Sequence, residues 1–82
     1  MVLFQLSNIA SDLSLVSHTD AILLRQDAVY LALTPHILPA CQHYLLRQDA
    51  ADRQVDCPTS MTLIDDSQWV ALTLEANTVI SC

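Results

Sequence analysis

Cysteine, histidine and aspartate are the side chains of this sequence with chemistry within reach. The thiols are Cys41, Cys57 and Cys82. A thiol that carries or attacks sulfur needs a depressed pKa, supplied by a nearby cation or a helix N-terminus. Cys57 follows Asp56, whose charge works against the thiolate, and Cys41 lies in an apolar, proline-bounded stretch where burial is expected. Cys82 stands beside the terminal carboxylate. The cysteines therefore read as packing residues, with no catalytic residue assigned. Cys82 and Cys41 are the two to watch if one of them carries a persulfide. His36, Cys41, His43 and Cys57 can be drawn as a ligand set, but H-x4-C-x-H…C fits no usual zinc spacing, so no metal is expected. Asp27, Asp49 and Asp65 each follow an apolar run. Beyond the carboxyl ends of parallel strands, three carboxylates could bind a cation or move protons. The commoner role is to cap the next helix, and that is the expectation here. Serine, histidine and aspartate all occur, but no local signature joins them into a triad.

The elements that would position these groups alternate. Val2 to Leu6 is a short apolar run closed by Ser7-Asn8, read as a buried strand. Ile9, Leu13 and Val16 recur at helical spacing between Asn8 and His18. Ala21 to Leu24 is the second strand; Val29 to Leu33 either continues it or begins a helix. A short helical segment is expected around Ile37 to Cys41, a third strand at Tyr44 to Leu46, and one or two helical turns between Asp49 and Asp56. Met61 to Ile64 is the fourth strand. A helix capped by Asp65 or Asp66 follows, with Trp69, Leu72 and Ala76 on one face and Asn77 as a left-handed stop. Thr78 to Ser81 closes the chain as a β-branched strand. The pattern predicts one α/β domain over residues 1–82, with a mostly parallel sheet of four to five strands and right-handed crossovers.

Composition limits what such a domain can be. Eighty-two residues suffice for one domain, and a chain this short hides only about 60% of its unfolded surface when it folds alone. Hydrophobic residues make up 52% and charged residues 15%, against about 25% charged in an average domain. That surplus of apolar side chains predicts a face covered by a partner. Nine acidic residues against three arginines and no lysine give a formal charge of −6, a poor direct ligand for nucleic acid. Three cysteines without C-x-x-C spacing argue against a disulfide framework. The start of the sequence lacks the features of a signal peptide. The 19 residues from Ala28 to Leu46 carry no Asp, Glu, Lys or Arg, but Pro35, Pro39, His36, His43 and Gln42 do not suit a membrane span. A soluble, cytoplasmic chain is expected.

Glycine is absent altogether. Walker loops, dinucleotide turns, nucleophile elbows and EF-hand loops each need it, so all four are excluded in their usual forms, and no cofactor is expected. Tight turns are left to Asn8, Asp20, Pro58 and Asn77. One hexapeptide recurs: Leu23-Leu24-Arg25-Gln26-Asp27-Ala28 returns as Leu45-Leu46-Arg47-Gln48-Asp49-Ala50. Ancestral duplication and two strand ends with the same need both account for it. The absence of a third copy favours the second.

The segment Leu23 to Tyr30 resembles the hydrophobic-(Gln/Glu)-Asp-Gly-Val-Tyr stretch of the TusB/DsrH family of sulfur-relay proteins. The resemblance continues through Tyr44-Leu45-Leu46, Asp49 and Arg53, then Ile64-Asp65, Trp69-Val70, Leu72-Thr73 and Asn77-Thr78-Val79. It departs at Ala28 and Gln54, where the family often has glycine, and at Cys82, where the family tends to end in tryptophan. Asp12 stands where DsrH members of sulfur oxidisers carry a cysteine on the first helix, so the chain is more similar to the TusB side.

The resemblance implies a small flavodoxin-like, DsrEFH-like three-layer subunit in a heterohexamer with TusC-like and TusD-like partners. The TusD-like subunit would hold the persulfide cysteine, taking sulfur from a TusA-like carrier and passing it through a TusE-like one toward 2-thiolation of tRNA wobble uridine. A TusB-like chain contributes structure and interface to that relay. Two other readings stay open at this point. One is a sulfurtransferase using Cys82 or Cys41 itself; the other is a self-associating α/β domain without a sulfur role.

Overall fold

A computed structural model of the chain describes residues 1–8, 16–34 and 38–81. Five strands form one sheet: β1 (Val2–Leu6), β2 (Ala21–Leu24), β3 (Gln42–Leu46), β4 (Thr62–Ile64) and β5 (Thr78–Ser81). Every pairing is parallel and the order is β4-β3-β2-β1-β5. The architecture is α/β and fits a flavodoxin-like three-layer fold. β2 lies in the interior of the sheet and is buried along its whole length, which is why Ala21 to Leu24 reads as a continuous apolar run without alternation.

Chain direction explains the layers. From β1 to β4 each step moves the same way across the sheet, and the last step returns past β1 to reach β5. Crossovers of constant hand therefore put the last connection on the opposite face from the others. The core divides accordingly. Phe4, Leu6, Ile22, Leu24 and Leu45 pack against Ala28, Val29, Leu31 and Ala32 of a 3₁₀ segment (Gln26–Leu33) and against Ala50 of α1 (Arg47–Asp52). On the second face Leu3, Ala21, Leu23, Leu46 and Ile64 pack against Leu72 and Trp69 of α2 (Asp66–Glu75).

Local signals set the helix ends. Asp65 accepts the amide of Gln68 at 2.8 Å, and the Gln68 side-chain oxygen accepts the amide of Asp65 at 2.9 Å. This reciprocal box satisfies two donors that the helix leaves unpaired. The end of α1 is a Schellman motif: Gln54 donates to the carbonyl of Ala51 at 3.2 Å and Val55 to that of Ala50 at 2.9 Å. Gln54 adopts φ 55° there, a left-handed conformation that glycine would enter without a Cβ penalty. Val55 and Ala50 join the same core cluster, which supplies the apolar contact that accompanies this motif.

Several expectations need correction. Asn77 is not left-handed; α2 ends with Ala76 extended at φ −70° and ψ 142°. The Asn77 side chain instead accepts from the α-amino group of Met1, and its amide donates to the Met1 carbonyl at 2.9 Å. Among the described residues the positive-φ positions are Gln26 and Gln54, neither of them among the expected turn formers. Of the two alternatives left open for Val29 to Leu33, the helical one holds: the stretch belongs to the 3₁₀ segment. Leu38 to Cys41 is not helical, and β3 begins at Gln42, two residues earlier than expected. The helix expected between Asn8 and His18 falls largely on residues 9–15, outside the described residues; Val16, Ser17 and His18 are not helical. Asp12, His36 and Cys82 also lie outside them.

Candidate partner interface

The carboxyl edge of the sheet, where a ligand would meet this fold, is occupied by structural bonds. Asp65 caps α2, as expected. Asp27 and Asp49 do not cap their helices; each sits in a first turn and reaches across to a neighbouring element. Asp49 accepts the amide of Gln26 at 2.7 Å, fixing the left-handed residue that starts the 3₁₀ segment. Asp27 pairs with Arg53 Nε at 3.2 Å, and Arg53 Nη1 also reaches the Asp49 carbonyl at 3.5 Å. The Asp27 side chain is 70% exposed, so this ion pair contributes about 0–1 kcal/mol. The three carboxylates are thus engaged separately. Among the described residues no three His, Cys, Asp or Glu side chains converge in a way that could hold a metal ion.

The two described thiols are at the other end. Cys41 immediately precedes β3, and Cys57 lies on the connection from α1 toward β4. Both are half-buried against the first core cluster. Burial pushes the Cys41 thiol up, and the negative charge of Asp20 adds to the effect. Burial pushes the Cys57 thiol up as well. Asp20 itself is held below the ordinary carboxylate range, first by the amide of Ser17 and then by that of Val2, each donating at 3.1 Å. The Cys57 thiol faces the carbonyls of Pro58 and Met61, both at 3.5 Å, and Cys41 faces the carbonyl of Gln42 at 3.7 Å. Acceptors of this kind favour the protonated form. These thiols are built to stay neutral. The other two members of the drawn metal set do not join them: His43 Nε2 bonds the Pro39 carbonyl at 2.7 Å, and His36 is outside the described residues.

What the fold does display is apolar surface. Tyr30 and Leu33 are exposed on the 3₁₀ segment, on one side of the sheet. Val70 and Leu74 are exposed on α2, on the other side, and Leu74 is 81% exposed. Val79 and Ile80 are exposed on β5 and Leu63 on β4, the two edge strands. Beside α2 runs a shallow groove of about 240 Å³ lined by Tyr44, Thr62, Ile64, Gln68 and Glu75 among others. Both faces of the sheet, and both of its edges, thus leave large apolar side chains in water.

The family model described as DsrH like protein matches residues 3–79, nearly the whole chain. The chain belongs to the DsrH family. No curated protein matches it. Membership carries a sulfur-relay role in general terms, in assemblies with partner subunits. Among the described residues of this DsrH-like chain, no helix is long and apolar enough to cross a membrane.

In this DsrH-like chain Gln54 occupies a left-handed position, so glycine is replaced where the backbone would benefit from it. Ala28 does not; the left-handed residue of that turn is Gln26. Sequence reasoning also missed the pairing of Arg25 with Trp69. The guanidinium stacks 4.9 Å from the ring centroid, and Arg25 Nε and Trp69 Nε1 are buried without acceptors. This stack joins the end of β2 to α2 and offsets part of the cost of the unpaired donors. A signal was available: Arg25 follows Leu23 by two and continues the extended backbone just past β2, so both point to the face that Trp69 covers.

Proposed function

We propose that this chain is a non-catalytic structural and interface subunit of a cytoplasmic TusBCD-like sulfur-transfer complex. In that complex a TusD-like subunit carries the persulfide, and TusC-like and TusD-like chains complete a heterohexamer. Sulfur arrives from a TusA-like carrier and leaves through a TusE-like one toward 2-thiolation of tRNA wobble uridine. The chain acts as one domain over its whole length and makes no direct contact with nucleic acid, in keeping with its charge of −6.

The observation that carries this reading is the pairing of inert thiols with surplus apolar surface. Cys41 and Cys57 have raised pKa values and sit away from the carboxyl edge of the sheet, so at neutral pH they offer little thiolate to a sulfur donor. Meanwhile Tyr30, Leu33, Val70, Leu74, Val79 and Ile80 are left for something else to cover. The test is co-expression with TusC-like and TusD-like chains followed by sizing. The three chains should co-elute. Elution of this chain alone, or as a homo-oligomer indifferent to the other two, overturns the proposal.

A further inference from the structure

We infer that the outer face of α2 is a docking surface for a partner that presents an apolar patch flanked by lysine or arginine. A helix on the surface of a sheet ordinarily turns a polar face to water. In α2 the inward side is Trp69 and Leu72. At 3.6 residues per turn, Ser67, Val70, Ala71 and Leu74 share the outward side. All four are exposed, and none is charged. Val70 and Leu74 form an i, i+4 pair that is 59% and 81% exposed. Acids close the strip at its ends: Asp66 in the first turn and Glu75 at the last position. The helix holds no lysine or arginine, and Arg25, the cation packed against it from the sheet, is stacked inward on Trp69.

This arrangement selects between occupants. A second copy of the chain is poorly suited. Antiparallel packing of α2 on itself brings Asp66 against Glu75 of the second copy, and parallel packing brings each acid against its own equivalent. Like charges meet either way. A partner with an apolar centre and basic flanks meets complementary groups at both ends and also covers Val70 and Leu74. The inference rests on the proposed subunit role, since it assigns this face to one of the partner chains.

The experiment compares wild type, Leu74→Glu, Leu33→Glu and the double variant Asp66→Asn/Glu75→Gln in co-expression with TusC-like and TusD-like chains. Leu74 and Leu33 are both exposed, so neither charge enters the core; thermal melting of each isolated variant confirms folding. Leu74→Glu should weaken assembly by about tenfold or more, because it sets a charge in the centre of the buried patch. Leu33→Glu, on the other side of the sheet, should weaken it less. Asp66→Asn/Glu75→Gln should weaken assembly by a few-fold at low salt and flatten its salt dependence. Assembly of wild type and Leu74→Glu with equal affinity overturns the inference and leaves the subunit role standing. So does a wild-type homodimer that Leu74→Glu dissociates, since a second copy then owns the face. Failure of the wild type to assemble overturns the subunit role and the inference together.

Discussion

The hexapeptide Leu-Leu-Arg-Gln-Asp-Ala occurs at Leu23–Ala28 and again at Leu45–Ala50, in adjacent parallel strands. In the first copy β2 ends at Leu24, Arg25 stays extended, Gln26 turns left-handed at φ 51°, and a 3₁₀ segment follows. In the second copy β3 ends at Leu46 and an α-helix begins at once with Arg47. The register shows why. Leu24 lies beside Leu45, so the copies are offset by one residue along the sheet. An odd offset exchanges faces. Leu24 and Leu45 accordingly share the first core cluster, while Leu23 and Leu46 share the second. Both copies must still deliver an alanine to the first face, and Ala28 and Ala50 both reach it. The second copy does so by entering its helix directly. The first must cross back, and the extended Arg25 and left-handed Gln26 make the crossing. Identical words thus take different backbones because tertiary placement outweighs local preference. The two copies therefore occupy non-equivalent positions in the sheet.

The largest effects should come from the leucines. Leu23→Ala and Leu45→Ala should each cost about 2–5 kcal/mol in denaturant unfolding. They occupy the same place in the repeat yet face opposite cores, so their effects should add to within about 0.5 kcal/mol. Leu24 and Leu45, neighbours on one face, should couple. Strong coupling of Leu23 with Leu45 breaks the register argument. Next come the aspartates. Asp49→Ala removes the acceptor that holds the Gln26 amide and should cost about 1 kcal/mol. Asp27→Ala removes only an exposed pair and should cost less, within about 0–1 kcal/mol. Equal losses from the two would count against the crossing role assigned to Asp49.

A smaller effect separates the copies by sign. Gln26→Gly relieves a left-handed residue and should stabilise by up to about 1 kcal/mol. Gln48→Gly places glycine in α1 and should destabilise by about 0.5–1 kcal/mol. Gln54→Gly, in the Schellman motif that ends α1, should resemble Gln26→Gly. Melting temperatures of the three variants test this, and one common sign for Gln26→Gly and Gln48→Gly would contradict the difference between the copies.

Much of the fold was legible because its signals are local and strong. Apolar runs at Val2, Ala21, Tyr44, Met61 and Thr78 marked all five strands, and the Asp65-Asp66 pair marked the start of α2. The face that each strand residue takes was not legible, since register is set between chain segments and leaves no mark on either one. The left-handed Gln26 was missed for a related reason, and Gln54 was marked only through the family resemblance. Without glycine the residue types do not flag them, and Gln26 and Gln54 are held by the partners Asp49 and Ala51. At the candidate site, the apolar surplus announced that some face needs covering. It did not single out α2, because the helical spacing marks the inward face of Trp69 and Leu72, while Val70 and Leu74 on the opposite side are only two more apolar residues in a chain rich in them.

In the proposed role sulfur does not reside on this chain, and mass spectrometry of the co-expressed complex after loading with a sulfur donor decides the matter. The partner subunit should gain a sulfur atom while Cys41, Cys57 and Cys82 of this chain remain unmodified. A stoichiometric persulfide on any of the three, lost in its Cys→Ser variant, would contradict that role.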